Sequence, residues 1–334
     1  MKLSIIIPMY NASATICRTL DSIYHLPWSA NDFEVIIIDD CSKDDSVQVV
    51  LQYQRDNHCT NLTLLRQPEN HRQGAARNRG IAIAKGMYID FCDSDDELDS
   101  GIVRALEKAV ASKVDVEFCD YKRNRITGRV DTADYHGPYE KIMSGKEFCN
   151  SYFRFNKNLI PVAYLYRTDY LRQLALPFPE DVRLEDGDWT LRVVYQAQTL
   201  QCIEDSIYIQ HCMPESTTQQ KANYLLTADW IDTAYRKTVF ADKIVKDDEA
   251  FAAKIIFDAR NNINGTCRKL WKLPFGDLQR FYKRVGEHRR SYLLRQKWPT
   301  WTLICLANPI LAQSVLFIIS PILRGARRMR DLMR

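Results

Sequence analysis

Two short acidic stretches carry side chains that could do chemistry. "FCDSDDELD", from Phe91 to Asp99, holds five acidic residues in nine. Carboxylates this crowded raise one another's pKa unless something positive holds them. Asp93 and Asp95 follow an apolar run, Met87 to Cys92, and could share a hard divalent cation from one turn. Mg²⁺ or Mn²⁺ takes oxygen ligands and often uses one or two carboxylates plus substrate phosphate oxygens. An EF-hand is excluded, because the spacing lacks its Gly and its terminal Glu. The second stretch, "RLEDGDW", sets Glu185, Asp186 and Asp188 within one turn. It reads either as the base that takes a proton from an attacking hydroxyl or as the cap of the helix "WTLRVVYQ".

The elements that must position these groups alternate along the first third of the chain. Apolar runs "LSIII", "FEVIIID", "LTLLR" and "MYIDFC" are strands. "SATICRTLDSIYHL", "DDSVQVVLQYQRD", "QGAARNRGIAIAKG" and "SGIVRALEKAVAS" repeat apolar residues at helical spacing between and after them. Pro8 is expected to end the first strand. "VDVEFCDY" is a further apolar run. This alternation implies crossover units and a parallel sheet covered on both faces. Functional residues in such sheets gather at the carboxyl ends of the strands. "PMYN", "DDCSKDD" and "DSDDELD" all fall there. The first of them leads into "PMYNASAT", which lacks the GxGxxG of a dinucleotide site.

These stretches closely resemble family 2 glycosyltransferases of the GT-A fold. The resemblance is carried by "SIIIPMYNA", "VIIIDDCSKDDS", "NHRQGAARNRGIAIAKGMYIDFCDSDD" and "LEDGDWTLRV", in order over about the first 215 residues. It implies a Rossmann-like α/β fold with a mainly parallel central sheet flanked by helices. It also implies inverting transfer of a sugar from a nucleotide-sugar donor, a UDP-sugar by analogy, with Mn²⁺ or Mg²⁺ on the diphosphate. The resemblance sets Pro8 and Tyr10 beside the nucleobase, Asp40 on its polar edge and Asp39 close by. Arg77 would lie near the donor, with Asn78 supporting that turn. Asp93 and Asp95 would serve the ribose and the metal, with Asp96 and His211 as further candidate ligands. Asp186 becomes the base and Glu185 an acceptor contact. Cys41 departs from the family, which usually has Gly there; a left-handed backbone at that position would cost Cys a steric penalty.

Composition and charge frame this reading. The 334 residues are 46% apolar and 26% charged, which excludes wholesale disorder. The N-terminus "MKLSIIIPMYN" is too short in apolar residues for a signal peptide. Ten cysteines without a CxxC pair read as reduced thiols in a cytosolic compartment. Net charge is +4, but residues 268–334 hold 15 Lys/Arg against 3 Asp/Glu, or +12, leaving −8 for the rest. The domains expected are 1–121 for the nucleotide-sugar half, 122–216 for the acceptor half, 217–300 for a helical extension, and 301–334 for a tail. From Trp301 to Leu323 that tail is mostly apolar, and "RGARRMRDLMR" follows with five arginines. Such a pattern suits an amphipathic helix lying in a membrane interface. The expected partners are a nucleotide-sugar, a glycan or lipid-linked acceptor in surface or capsular polysaccharide synthesis, and the inner face of the cytoplasmic membrane, with no nucleic acid. Two other classes compete. A sugar-nucleotide pyrophosphorylase would want a Gly-rich basic loop that "PMYNASATICR" lacks. A non-catalytic, membrane-associated carbohydrate-binding protein would not need both acidic stretches.

Overall fold

Apolar runs bounded by turn residues become the first strands, nearly as the sequence sets them out: β1 (Leu3–Met9), β2 (Phe33–Asp39), β3 (Leu62–Arg66) and β4 (Tyr88–Phe91). The computed structural model describes residues 1–124, 127–132, 135–155, 157–212, 223–270 and 273–294. The chain divides into two units, Met1–Gln219 and Gln220–Arg334.

In the first unit, β3, β2, β1 and β4 lie parallel in that order. Every residue of β1 and β2 is buried, as a sheet covered on both faces requires. β1 runs through Pro8 to Met9 instead of ending there. The Met9 carbonyl accepts from Asp40 N on the β2 side, and Ile6 O accepts from Cys92 N on the other. Pro8 therefore turns its missing N–H toward the side where pairing with β4 has already stopped at Ile6, the one place a strand proline costs no ladder bond.

Beyond β4 the sheet becomes mixed. β8 (Tyr164–Arg167) is antiparallel to β4 and to β6 (Val116–Asn124), while β9 (Leu200–His211) is parallel to β6. The two-residue β5 (Glu97–Leu98) pairs antiparallel with β9, and β7 (Val130–Thr132) with β6. The mainly parallel sheet expected thus has its continuous parallel run in the first four strands, within an α/β sheet flanked by helices.

Four helices follow the expected periodicity: α1 (Ile16–Tyr24), α2 (Ser46–Asp56), α3 (Arg72–Ile83) and α4 (Gly101–Ser112). α1 buries Ile16, Leu20 and Ile23 on one face. Later come α5 (Gly145–Ser151), α6 (Thr168–Leu174) and α7 (Asp186–Gln196). Trp189 of α7 is fully buried. Its ring stacks on Phe178 at 3.7 Å and meets Phe91 edge-on at 5.8 Å, and its Nε1 donates to Leu176 O at 2.9 Å.

The second unit is helical, with α8 (Tyr224–Ile244), α9 (Glu249–Leu270), α10 (Phe275–Val285) and α11 (Glu287–Leu294). Ile231, Ala234, Ile263, Cys267, Phe281 and Leu293 form its core. Lys237 is buried and pairs with Asp258 at 2.8 Å. Among the described residues no helix is long and apolar enough to cross a membrane. The expected membrane-lying tail, 301–334, falls outside the described residues.

Candidate active site

Because β1, β2 and β4 are parallel, their carboxyl ends open on one edge, where Tyr10, Asp39–Asp40 and Asp93–Asp96 emerge. β9 runs toward the same edge, through its parallel pairing with β6, and delivers His211 there.

Arg77, on α3, links the two acidic stretches. It is 2% exposed. Its Nη1 donates to Glu185 Oε1, and its Nη2 donates to Asp93 Oδ1 at 2.8 Å. The guanidinium lies 5.4 Å from the Phe178 ring centre. Burial alone would lower the Arg77 pKa, but Asp93 and Glu185 more than reverse this. α3 can come this close because Gly74 faces the loop before α7: a Cβ there would lie 2.1 Å from Pro179 O. Asn78 seals the contact by exchanging two bonds with the Phe178 backbone, at 3.0 and 2.8 Å.

Glu185 is the N-cap of α7, yet its side chain makes no capping bond and goes to Arg77. Asp186 opens the helix and accepts from Gly187 N at 2.8 Å. Burial raises the Glu185 and Asp186 carboxyls above their usual range, and Arg77 partly offsets this. A carboxyl raised in this way is a better proton acceptor than one in water.

The acidic loop is gripped from two sides. From α1, Thr15 Oγ1 donates to Ser94 O at 2.9 Å, Arg18 Nη2 to Asp95 O at 2.5 Å and Thr19 Oγ1 to Asp96 O at 2.7 Å. Ser22 Oγ accepts from Leu98 N at 3.0 Å. Positions 15, 18, 19 and 22 share one helix face. From β9, Tyr208 Oη donates to Asp96 Oδ2 at 2.6 Å, and His211 N donates to Asp96 Oδ1 at 2.7 Å. Burial, with Asp93 and Asp95 beside it, pushes the Asp96 carboxyl up to about 8. Burial and Asp93 push Asp95 up to about 6, opposed by Arg18 and His211.

The expected metal ligands differ in how far neighbouring groups engage them. Among the described residues no group of three His, Cys, Asp or Glu side chains could hold a metal ion. Both Asp96 oxygens are engaged, and the His211 ring bonds Glu97 Oε1 at 2.7 Å. Asp93 and Asp95 fit as a two-carboxylate part of a hard-cation shell: they crowd each other, and burial together with Asp93 holds the Asp95 carboxyl high. The remaining ligands would come from outside the chain.

At the carboxyl end of β1, Tyr10 is 42% exposed, while Pro8 is buried within the strand. Asp40 Oδ1 accepts from Gln67 Nε2 at 2.7 Å and His71 N at 2.8 Å, and burial raises its pKa. Asp39 is fully buried and turned inward, to Ser42 N at 3.2 Å and Arg66 Nε at 3.2 Å. It braces the loop. In that loop Cys41 stands at φ +64°, the left-handed angle glycine tolerates and cysteine does not favour.

Sequence reasoning missed the loop's supports: Thr15, Arg18, Thr19, Ser22, Glu97 and Tyr208. A signal existed for α1, whose polar positions 15, 18, 19 and 22 interleave with Ile16, Leu20 and Ile23 at helical spacing. None existed for Tyr208, which acts 112 residues from its partner.

Residues 4–174 match the family model for glycosyl transferase family 2. The chain is 27% identical over 224 residues to the uncharacterized glycosyltransferase EpsJ of Bacillus subtilis, covering 65% of this chain and 62% of that one. It is 28% identical over 211 residues to the poly(ribitol-phosphate) beta-N-acetylglucosaminyltransferase TarS of Staphylococcus aureus, covering 62% of this chain and 35% of TarS. The match thus spans less than two thirds of either relative. Among solved structures, residues 1–349 of S. aureus TarS in complex with UDP-GlcNAc superpose with a TM-score of 0.63 at 21% identity, covering 94% of this chain and 88% of that one. A mannosyltransferase from Pyrobaculum calidifontis, in complex with GDP-Man and Mn²⁺, superposes with a TM-score of 0.55 at 17% identity, covering 94% and 86%. At such identities the superpositions speak for the fold.

Proposed function

Since the chain belongs to glycosyl transferase family 2, we propose that it transfers a sugar, with inversion, from a nucleotide-sugar to a glycan or lipid-linked acceptor in surface polysaccharide synthesis. The observation that carries this reading is the buried Arg77, which ties the acidic loop to the turn bearing Asp186. A donor diphosphate at Asp93–Asp95 and an acceptor hydroxyl at Asp186 would then face each other across one guanidinium.

In this reading Tyr10 and Asp40 hold the nucleobase, with Pro8 and Asp39 shaping the loops beneath them. Asp186 takes the proton of the acceptor hydroxyl as its oxygen attacks the anomeric carbon, and the bond to the nucleoside diphosphate breaks on the opposite face. Arg77 holds Glu185 and Asp93 in place and keeps Glu185 beside the acceptor. Asp93 and Asp95 would hold Mn²⁺ or Mg²⁺, which neutralises charge developing on the leaving phosphate oxygens. Asp96 and His211 support that loop from behind. A UDP-sugar is the preferred donor, given that TarS is crystallised with UDP-GlcNAc. An anionic polymer such as the poly(ribitol-phosphate) in the name of TarS is a consistent acceptor. The basic, apolar tail would bring the site to an inner membrane face.

The test is titration of purified protein with UDP, with and without Mn²⁺, followed by a screen of nucleotide-sugars for slow donor hydrolysis. Metal-enhanced UDP binding and hydrolysis of one donor are expected. Absence of any nucleotide binding would leave a carbohydrate-binding protein as the better reading.

A further inference from the structure

We propose that Glu97 and Arg18 are positioning residues for the acidic loop, acting through the His211 ring and the main chain at Asp95. The proposal deepens the reading of this loop as a cation and diphosphate site, and rests on it. Glu97 Oε1 meets two partners at once: it bonds His211 Nε2 at 2.7 Å and forms an ion pair with Arg18 Nε at 3.3 Å. A carboxylate has no proton to give, so the imidazole carries its proton on Nε2. Arg18 reaches with its other arm to Asp95 O at 2.5 Å, and the His211 main chain donates to Asp96 Oδ1 at 2.7 Å. The bonds close a ring: Arg18, Glu97, His211, Asp96, Asp95 and back to Arg18. Asp95 is the carboxylate of that ring not committed to another side chain in the bonds described above.

A plain surface ion pair is the competing account. Arg18 is 42% exposed at its side chain, Glu97 26% and His211 23%. Pairs this wet contribute little to stability, so the arrangement has small energetic value as a staple. Its geometry has more. One oxygen fixes the His211 ring and, through Arg18, the carbonyl of the residue best fitted to meet a cation. Groups that hold metal-site residues from behind typically cost about 10- to 100-fold in metal affinity when removed.

The experiment compares wild type, Glu97→Ala and Glu97→Gln. Mn²⁺-dependent UDP affinity, by calorimetry, should fall about tenfold or more in Glu97→Ala. UDP affinity without metal, and the melting temperature, should stay near wild type. Glu97→Gln keeps an acceptor oxygen and should recover most of the loss. In parallel, ¹⁵N NMR of the ligand-free protein should show His211 as one Nε2–H tautomer in wild type and Glu97→Gln, and as a mixture in Glu97→Ala. A mixed tautomer in wild type overturns the proposal. So does a Glu97→Ala protein with wild-type tautomer and affinity, or equal losses in both variants that track a lowered melting temperature. If wild type binds no UDP with or without metal, the proposed function fails instead, and the tautomer result alone decides the role of Glu97.

Discussion

Glu117 should make the protein less stable as pH rises, and its replacement by Gln should remove that dependence. The residue lies on β6 between β8 and β9, fully buried, with neither carboxylate oxygen hydrogen-bonded among the described residues. Burial, with Asp205 adding and Lys108 opposing, pushes its pKa from 4.5 up to about 8. A carboxyl raised in the folded state contributes its full stability below the unfolded value and loses it as pH climbs through the folded one. At about 1.4 kcal/mol per unit, the loss between pH 5 and pH 7 is roughly 3 kcal/mol, and by pH 8 and above the total approaches 5 kcal/mol. Urea unfolding of wild type and Glu117→Gln at pH 5, 6, 7 and 8 isolates this group. Wild type should lose ground to the variant by roughly 3 kcal/mol from pH 5 to pH 7. Stability curves that stay parallel within about 0.5 kcal/mol over that range would show that Glu117 finds a charge partner on ionising, and the reasoning would be wrong.

Four other outcomes are expected. Asp186→Asn should lower transfer by about 10² to 10⁴ while donor binding, by calorimetry, stays near wild type. Asp95→Asn should abolish metal-enhanced UDP binding while leaving the fold intact by circular dichroism. Arg77→Met strands the buried Glu185 and removes the partner of the half-buried Asp93, and should cost about 3–5 kcal/mol in urea unfolding. Cys41→Gly relieves the left-handed strain at φ +64°; after the entropy glycine loses on folding, a net gain of about 0.5–1 kcal/mol should appear in urea unfolding.

The parallel half of the sheet was legible because each strand is a continuous apolar run with a helix of matching period beside it. β3, Leu62–Arg66, is the quoted run "LTLLR" itself. β5, with two residues, and the antiparallel pairing of β8 were not legible. Their partners lie far along the chain, and no local periodicity announces them. The acidic loops were legible as loops at strand ends. What each carboxylate does there was not, because a carboxylate looks the same in sequence whether it faces a ligand or a neighbour. Asp39 turns to Arg66, and Glu185 reaches Arg77 across 108 residues. The left-handed angle at Cys41 was foreseen only as the cost of a departure from glycine.

The support of Asp96 by Tyr208 and His211, 112 and 115 residues downstream, sets an order on synthesis. A nascent chain that has released only the first 121 residues carries all the strands of the parallel half and all the carboxylates of the acidic loop, but lacks both donors that hold Asp96 and the Glu185 that shares Arg77. In such a fragment α1 can still hold the main chain of the loop, but the Asp96 carboxylate has neither of its two later donors. The full set of bonds around Asp96 therefore forms only after β9 has left the ribosome and taken its place in the sheet.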